Sequence, residues 1–266
     1  MFTRVILLLL ISGHLHAQSF NAAPFLGMGN TGLASQSLYS VGLNPAGIAP
    51  LASASIAIAY QQHFLSSEIQ SQAAYLNIPI GFLGGIGLGV NSYGIAGVST
   101  LSTVRGVYAR RFGNLFFSAV GLNYHQYYVK NYGNDFTFSV DLGFQVGITP
   151  DLFLGALFRN ITSSQYQEDV EQRIPCEVGL GMNYGISDQL SLASDIYYDS
   201  QSKINYRAGL SYSFDYRFKI RTGAASNPMQ YFAGLGLVLN KIQIDMASSF
   251  HPKLGTSPQI SMAYDF

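Results

Sequence analysis

One cysteine, Cys176, stands in the whole chain, so no internal disulfide can form and the fold must be held by hydrogen bonding and burial. Charged residues make up only 11%, where a soluble domain carries about a quarter. The 14 Lys and Arg balance 14 Asp and Glu, and no basic run exceeds Arg110-Arg111, so nucleic-acid binding has no electrostatic footprint. Long apolar runs are missing as well. The only uninterrupted one, Val5 to Ile11, falls far short of the roughly 20 residues a membrane-spanning helix needs.

Catalytic and metal-binding patterns are also scarce. Past the amino terminus only His63, His125 and His251 remain, on separate segments and without metal-ligand spacing. No Gly-x-Ser-x-Gly turn accompanies them, so no catalytic residue, metal ligand or cofactor site is nominated. Gly27-Met-Gly-Asn-Thr-Gly32 has the dinucleotide-binding spacing but lacks the preceding strand and following helix that such a site requires.

What is present is apolar and aromatic: 48% hydrophobic residues, 14% aromatic, 28 glycines and 18 tyrosines. A membrane protein without spanning helices must be a closed barrel, because lipid offers no partner to an open backbone edge. The amino terminus fits export: Arg4 gives a positive start, Val5 to Ile11 an apolar stretch, and Ala17 a small residue for cleavage. Residues 1–17 are therefore expected to be a signal peptide.

From Ala52 onward, segments of about ten residues alternate apolar and polar side chains between turn residues. The clearest places Phe136, Phe138, Val140, Leu142, Phe144, Val146 and Ile148 on one face, with Thr137, Ser139, Asp141, Gly143, Gln145, Gly147 and Thr149 on the other. A soluble sandwich strand reads the same way. The connections discriminate: short turns at 113–114, 149–151, 187–188, 215–216 and 240–241 interleave with longer ones at 93–102, 129–134, 162–172, 199–202 and 251–257, as the two sides of an outer-membrane barrel require. The expectation is all-β: a fourteen-stranded antiparallel transmembrane barrel over residues 52–266, with strands near 53–63, 68–78, 82–92, 103–112, 115–128, 135–148, 152–161, 173–186, 189–198, 203–213, 217–225, 229–239, 241–250 and 258–266.

The last strand ends on an aromatic carboxy terminus. Met262, Tyr264 and Phe266 would face lipid and carry the signal read by the barrel-insertion machinery. Cys176 would face lipid too. Tyr124, Tyr127, Tyr128, Tyr132, Tyr197, Tyr198, Tyr212 and Tyr216 fall near strand ends, where an amphipathic ring sits at headgroup level, and Tyr132 and Tyr166 lie on outer loops open to carbohydrate. The inward faces supply Asp141, Glu177, Asp195, Arg207, Lys219, Arg221 and Asp245. Two readings stay open for them: pairing across the barrel or with a plug, or lining a substrate path.

Residues 18–51 do not alternate. They are too broken by Gly, Pro and Asn for a strand and too apolar for a free tail, so they are placed in the lumen as a hatch. Within them, Gly27-Met-Gly29-Asn-Thr-Gly32-Leu-Ala34, then Asn44-Pro45-Ala46-Gly47, resembles the amino-terminal hatch of the FadL/TodX superfamily. The likeness is closer to its PorV/PorQ-like branch, outer-membrane proteins associated with type IX secretion in Bacteroidetes. This chain departs from that pattern in having Ser35-Gln-Ser-Leu-Tyr-Ser40 where an acidic pair is common, and in lacking the long outer loops of fatty-acid transporters. The resemblance implies an accessory or docking component in the outer membrane whose partner is a larger export or assembly complex or its secreted cargo. The alternative is a channel or carrier for small hydrophobic molecules.

Overall fold

The computed structural model describes residues 20–167, 174–199 and 203–266. The expected signal peptide lies outside them. Among the described residues the chain forms fourteen antiparallel strands closed into one barrel: β1 Ser55–Gln62, β2 Ile69–Pro79, β3 Gly84–Ile95, β4 Ser99–Phe112, β5 Phe116–Val129, β6 Gly133–Thr149, β7 Leu152–Arg159, β8 Glu177–Gly185, β9 Leu190–Asp199, β10 Asn205–Ser213, β11 Phe218–Ser226, β12 Met229–Leu239, β13 Ile242–His251 and β14 Gly255–Asp265. Each strand pairs with its sequence neighbours, and β1 closes on β14 from Ser55↔Asp265 to Gln61↔Gln259. Closure leaves no unpaired edge, which is what lets strands stand in hydrocarbon.

Strict alternation sorts the side chains. Ile56, Ile58, Leu88, Val104, Leu122, Phe138, Leu180, Ile196, Leu210, Leu235, Met246 and Ile260 are all exposed on the outer wall. So large an apolar belt exceeds what a water-soluble monomer shows and matches a lipid-facing surface. Met262, Tyr264 and Phe266 belong to it, as expected, with Tyr264 and Phe266 in edge contact at 5.1 Å. Phe82, Phe112, Phe116, Phe214, Tyr216 and Phe218 gather at the end of the barrel that carries the tight turns, where an aromatic girdle belongs.

The tight turns fall where they were expected, but the opposite connections are shorter than 93–102, 129–134 and 251–257. They shrink to 96–98, 130–132 and 252–254 because the flanking strands keep pairing, from Tyr93↔Leu101 up to Ile95↔Ser99 and from Tyr128↔Asn134 up to Val129↔Gly133. Polar residues there alternate like the wall below, so the ladder continues beyond the apolar belt. The expected seventh strand stops at Arg159 rather than 161, since Asn160 turns back with φ 52. The eighth starts at Glu177, and Cys176 lies just before it, exposed and 3.5 Å from Asn160, rather than within a lipid-facing strand.

Candidate functional site: the filled lumen and its vestibule

Residues 20–50 lie within the barrel and are almost all buried. One helical turn, Ala23–Leu26, is followed by two 3₁₀ turns, Leu38–Gly42 and Pro45–Ile48. The path follows the inner wall. It touches β14 through Ala23 N–H on Ser261 Oγ (2.9 Å) and Asn21 O on Gln259 Nε2 (2.9 Å), passes β12 to β10 at Gly27 to Gly29, and reaches β9 and β8 at Gly32 and Leu33. It then crosses β7 and β6 and leaves past β4 and β3, entering β1 at Ser55.

Inward glycines of the wall make that path possible. A Cβ on Gly155 would strike the Leu33 carbonyl, one on Gly209 the Met28 carbonyl, and one on Gly223 the Gly29 backbone. Gly87 and Gly89 face Val41, and Gly179 and Gly181 face Leu33. A strand glycine often marks close approach by another backbone, and here the wall is thinned where the segment lies against it.

The segment's own motif works by the same logic. Gly29 combines φ 75 with close contact to the Ala208 carbonyl, and Gly32 takes φ 153 with Leu43 and Phe25 at 2.9 Å from where its Cβ would stand. Neither tolerates a side chain. Asn44 caps the second 3₁₀ turn by accepting from Ala46 N–H (3.3 Å), while its Nδ2 donates to Leu33 O (2.6 Å) and Phe144 O (3.1 Å). Pro45 opens that turn, Ala46 is fully buried, and a Cβ on Gly47 would meet the Ser35 carbonyl. The glycine run and the Asn-Pro-Ala-Gly turn are thus two halves of one knot.

Most of the nominated lumen charges meet either each other or this segment. Asp195 Oδ2 accepts from the N–H groups of Gly32 (2.8 Å) and Leu33 (3.2 Å). Arg207 donates to Asn30 O (3.1 Å) with its guanidinium 4.0 Å over the Tyr197 ring. Arg221 and Asp245, 5% and 0% exposed, pair at 2.6 Å, with Gln243 Nε2 on the other Asp245 oxygen at 2.7 Å. Asp141 pairs with Arg105 at 3.2 Å, and Arg159 with Glu177 at 2.6 Å. Lys219 stands half-buried opposite Gly236 on the end of the lumen nearer the tight turns. Charges removed from water survive only when paired in this way.

The sequence singled out neither Arg105, Arg159 nor Gln259, although their inward parity was readable, and it placed Gln145 and Ser261 inward without a partner. Gln145 Nε2 donates to both Leu33 O and Ser35 O at 3.0 Å, and Arg105 Nη1 to Val41 O at 3.0 Å. Two tyrosines assigned to the headgroup level face inward instead: Tyr197 is 4% exposed beneath Arg207, and Tyr127 packs on Tyr166 at 6.0 Å. Tyr166 is buried there, and burial raises its hydroxyl's pKa, so it is not open to a carbohydrate; Tyr132, 91% exposed, is.

Over the start of the segment, at the end of the barrel opposite the tight turns, lies a vestibule of about 340 Å³. Phe20, Leu26, Tyr197 and Phe232 give it apolar surfaces, Asn21, Asn30, Gln61, Asn205 and Gln230 give it carboxamides, and Glu177, Arg207 and Lys203 add charge. His63 is also on its wall, bonded through Nε2 to Ser71 Oγ at 2.8 Å, and burial holds its imidazole below the ordinary 6.5.

This barrel, with its own amino-terminal stretch threaded through the lumen and a small cavity above it, shares its fold with FadL/TodX-type outer-membrane barrels. The sequence matches no protein-family model and no curated protein. Among solved structures, the toluene transporter TbuX of Ralstonia pickettii aligns over 94% of this chain and 99% of its own with a TM-score of 0.71 at 12% identity. A FadL homologue of Pseudomonas aeruginosa aligns over 92% and 98% with a TM-score of 0.65 at 13% identity. The toluene transporter TodX of Pseudomonas putida aligns over 94% and 98% with a TM-score of 0.64 at 10% identity. At such identities the likeness is one of fold.

Proposed function

We propose that this barrel is a channel or carrier for small hydrophobic molecules, with the vestibule as the capture site and residues 20–50 as the element that moves to open the lumen. The observation that carries this reading is the vestibule itself: a cavity of about 340 Å³, floored by Phe20 and Leu26 of the very segment that fills the lumen. A ligand seated there touches the plug and can bias its position, which is what coupling requires. The segment is held by side-chain and backbone hydrogen bonds rather than by a sheet ladder, so the wall survives its displacement. The likeness in fold to toluene transporters supports transport over catalysis, and we assign no enzymatic role.

The test is uptake of toluene into proteoliposomes holding the barrel, with and without residues 20–50. Uptake by the full chain, together with a larger and unselective flux after deletion, is expected. Equal permeability of empty and loaded vesicles overturns the reading.

A docking role, implied by the PorV/PorQ-like motif, is favoured by a different observation: connections such as 96–98, 130–132 and 227–228 build no capture platform above the wall. Purification from native membranes in mild detergent checks it. A larger outer-membrane protein or a secreted cargo should then accompany the barrel, and a strictly solitary barrel argues for transport alone.

A further inference from the structure

We propose that the vestibule selects a neutral, hydroxyl-bearing aromatic molecule over both a plain hydrocarbon and an aromatic carboxylate. This rests on the transport reading and names its ligand class.

The aromatic half of the argument is the surface formed by Phe20, Tyr197 and Phe232, at 8%, 4% and 3% exposure, in a space large enough for a substituted ring. The polar half is the band of carboxamides on the same cavity. Asn205 Nδ2 is committed to the Asn227 carbonyl at 2.5 Å, which fixes its Oδ1 as the remaining acceptor, and that atom has no partner among the described residues. The same holds for Oδ1 of Asn21, a residue 4% exposed, whose Nδ2 is given to Asn30 Oδ1 at 2.8 Å. Both oxygens are covered but belong to residues that line the vestibule, and a side-chain rotation toward a ligand hydroxyl gives each the donor it lacks. A hydrocarbon would shield the carboxamides from water and leave them unpaired, the arrangement by which polar pockets reject apolar analogues.

Carboxylates fare no better. Arg207 lies over the Tyr197 ring and donates to the Asn30 carbonyl, and the carboxylates of Glu177 and Asp199 line the same cavity and repel an anion. Lys203, which also lines the cavity, is exposed, where water and salt screen it.

Titration calorimetry of the full chain in amphipol, with catechol, toluene and benzoate as probes, tests this. Catechol should bind at least about tenfold more tightly than either of the others, the scale of one satisfied hydrogen bond. Asn205→Leu with Asn21→Leu, checked for a closed barrel by heat-modifiable gel migration, should cancel that preference while leaving toluene binding in place. Toluene binding as tightly as catechol overturns the selectivity and leaves the transport reading standing. Benzoate binding best overturns it in favour of a cationic site. Failure of all three to bind removes the capture site, and both proposals fall with it.

Discussion

Nδ2 of Asn44 donates to the backbone carbonyl of Leu33, eleven residues earlier, at 2.6 Å, and the same amide group reaches Phe144 O on the wall. One fully buried side chain therefore closes the knot in the luminal segment and fastens that knot to β6.

Asn44→Ala removes both donations and leaves Gln145 Nε2 as the side-chain donor to Leu33 O, at a cost of about 1 kcal/mol per lost hydrogen bond to the seating of the segment. The wall keeps its own ladder. Limited proteolysis should cleave residues 20–50 faster in the variant, while the folded barrel's gel migration stays unchanged; equal cleavage rates contradict the role given to Asn44.

Gly209→Val drives a side chain into the Met28 carbonyl, whereas a Cβ on the lipid-facing Gly106 meets nothing within 4 Å. Planar-bilayer conductance should rise for Gly209→Val, because the segment is displaced, and stay at the parent level for Gly106→Val. Identical conductance in the two variants contradicts the close fit between segment and wall.

Breaking the Arg221–Asp245 pair on one side leaves a charge buried at 0% exposure. Asp245 stranded by Arg221→Met should cost roughly 3–5 kcal/mol, and Arg221→Met with Asp245→Leu should recover most of it. Urea unfolding from lipid vesicles measures both. A single variant as stable as the parent shows that the pair does not hold the lumen.

Burial depresses the pKa of His63 below 6.5, so the unfolded chain takes up the proton first as the solution is acidified. The stability contributed by neutral His63 is complete above about pH 6.5 and declines as pH falls from 6.5 through the lowered folded value. An NMR titration of the ring should give a midpoint under 6.5, with loosening of residues 63–68 in the same interval. A midpoint above 6.5 contradicts the buried, neutral setting beside Ser71.

Tyr264→Ser with Phe266→Ser removes two lipid-facing rings from the closing strand. Surface levels should fall as the chain is left in the periplasm and degraded, and immunoblots of outer-membrane fractions report it. Unchanged levels sink the assignment of Met262, Tyr264 and Phe266 as an insertion signal.

Alternation made the wall legible because a strand in a membrane has only two environments, and residue parity chooses between them. Phe138 and Asp141 could be placed outward and inward from sequence for that reason. Parity cannot show where pairing stops, so β3 and β4 continue past Tyr93 into residues read as a loop. It is equally blind to partners across the lumen: Arg105 meets Asp141 from a strand two places away, and Tyr197 meets Arg207 from the next. The motif glycines were recognisable, but the tie between Leu33 and Asn44 exists only once the segment folds back on itself.

Transport as proposed requires that molecules cross the lumen when residues 20–50 move. A Cβ at Gly27 would stand 3.4 Å from Cβ of Arg221, so Gly27→Cys with Arg221→Cys, made alongside Asp245→Leu and Cys176→Ser, places two thiols where a disulfide can fasten the segment to β11. Toluene uptake into proteoliposomes should be lost when this bond is oxidised and return on reduction. Full uptake with the segment locked in place would contradict the claim.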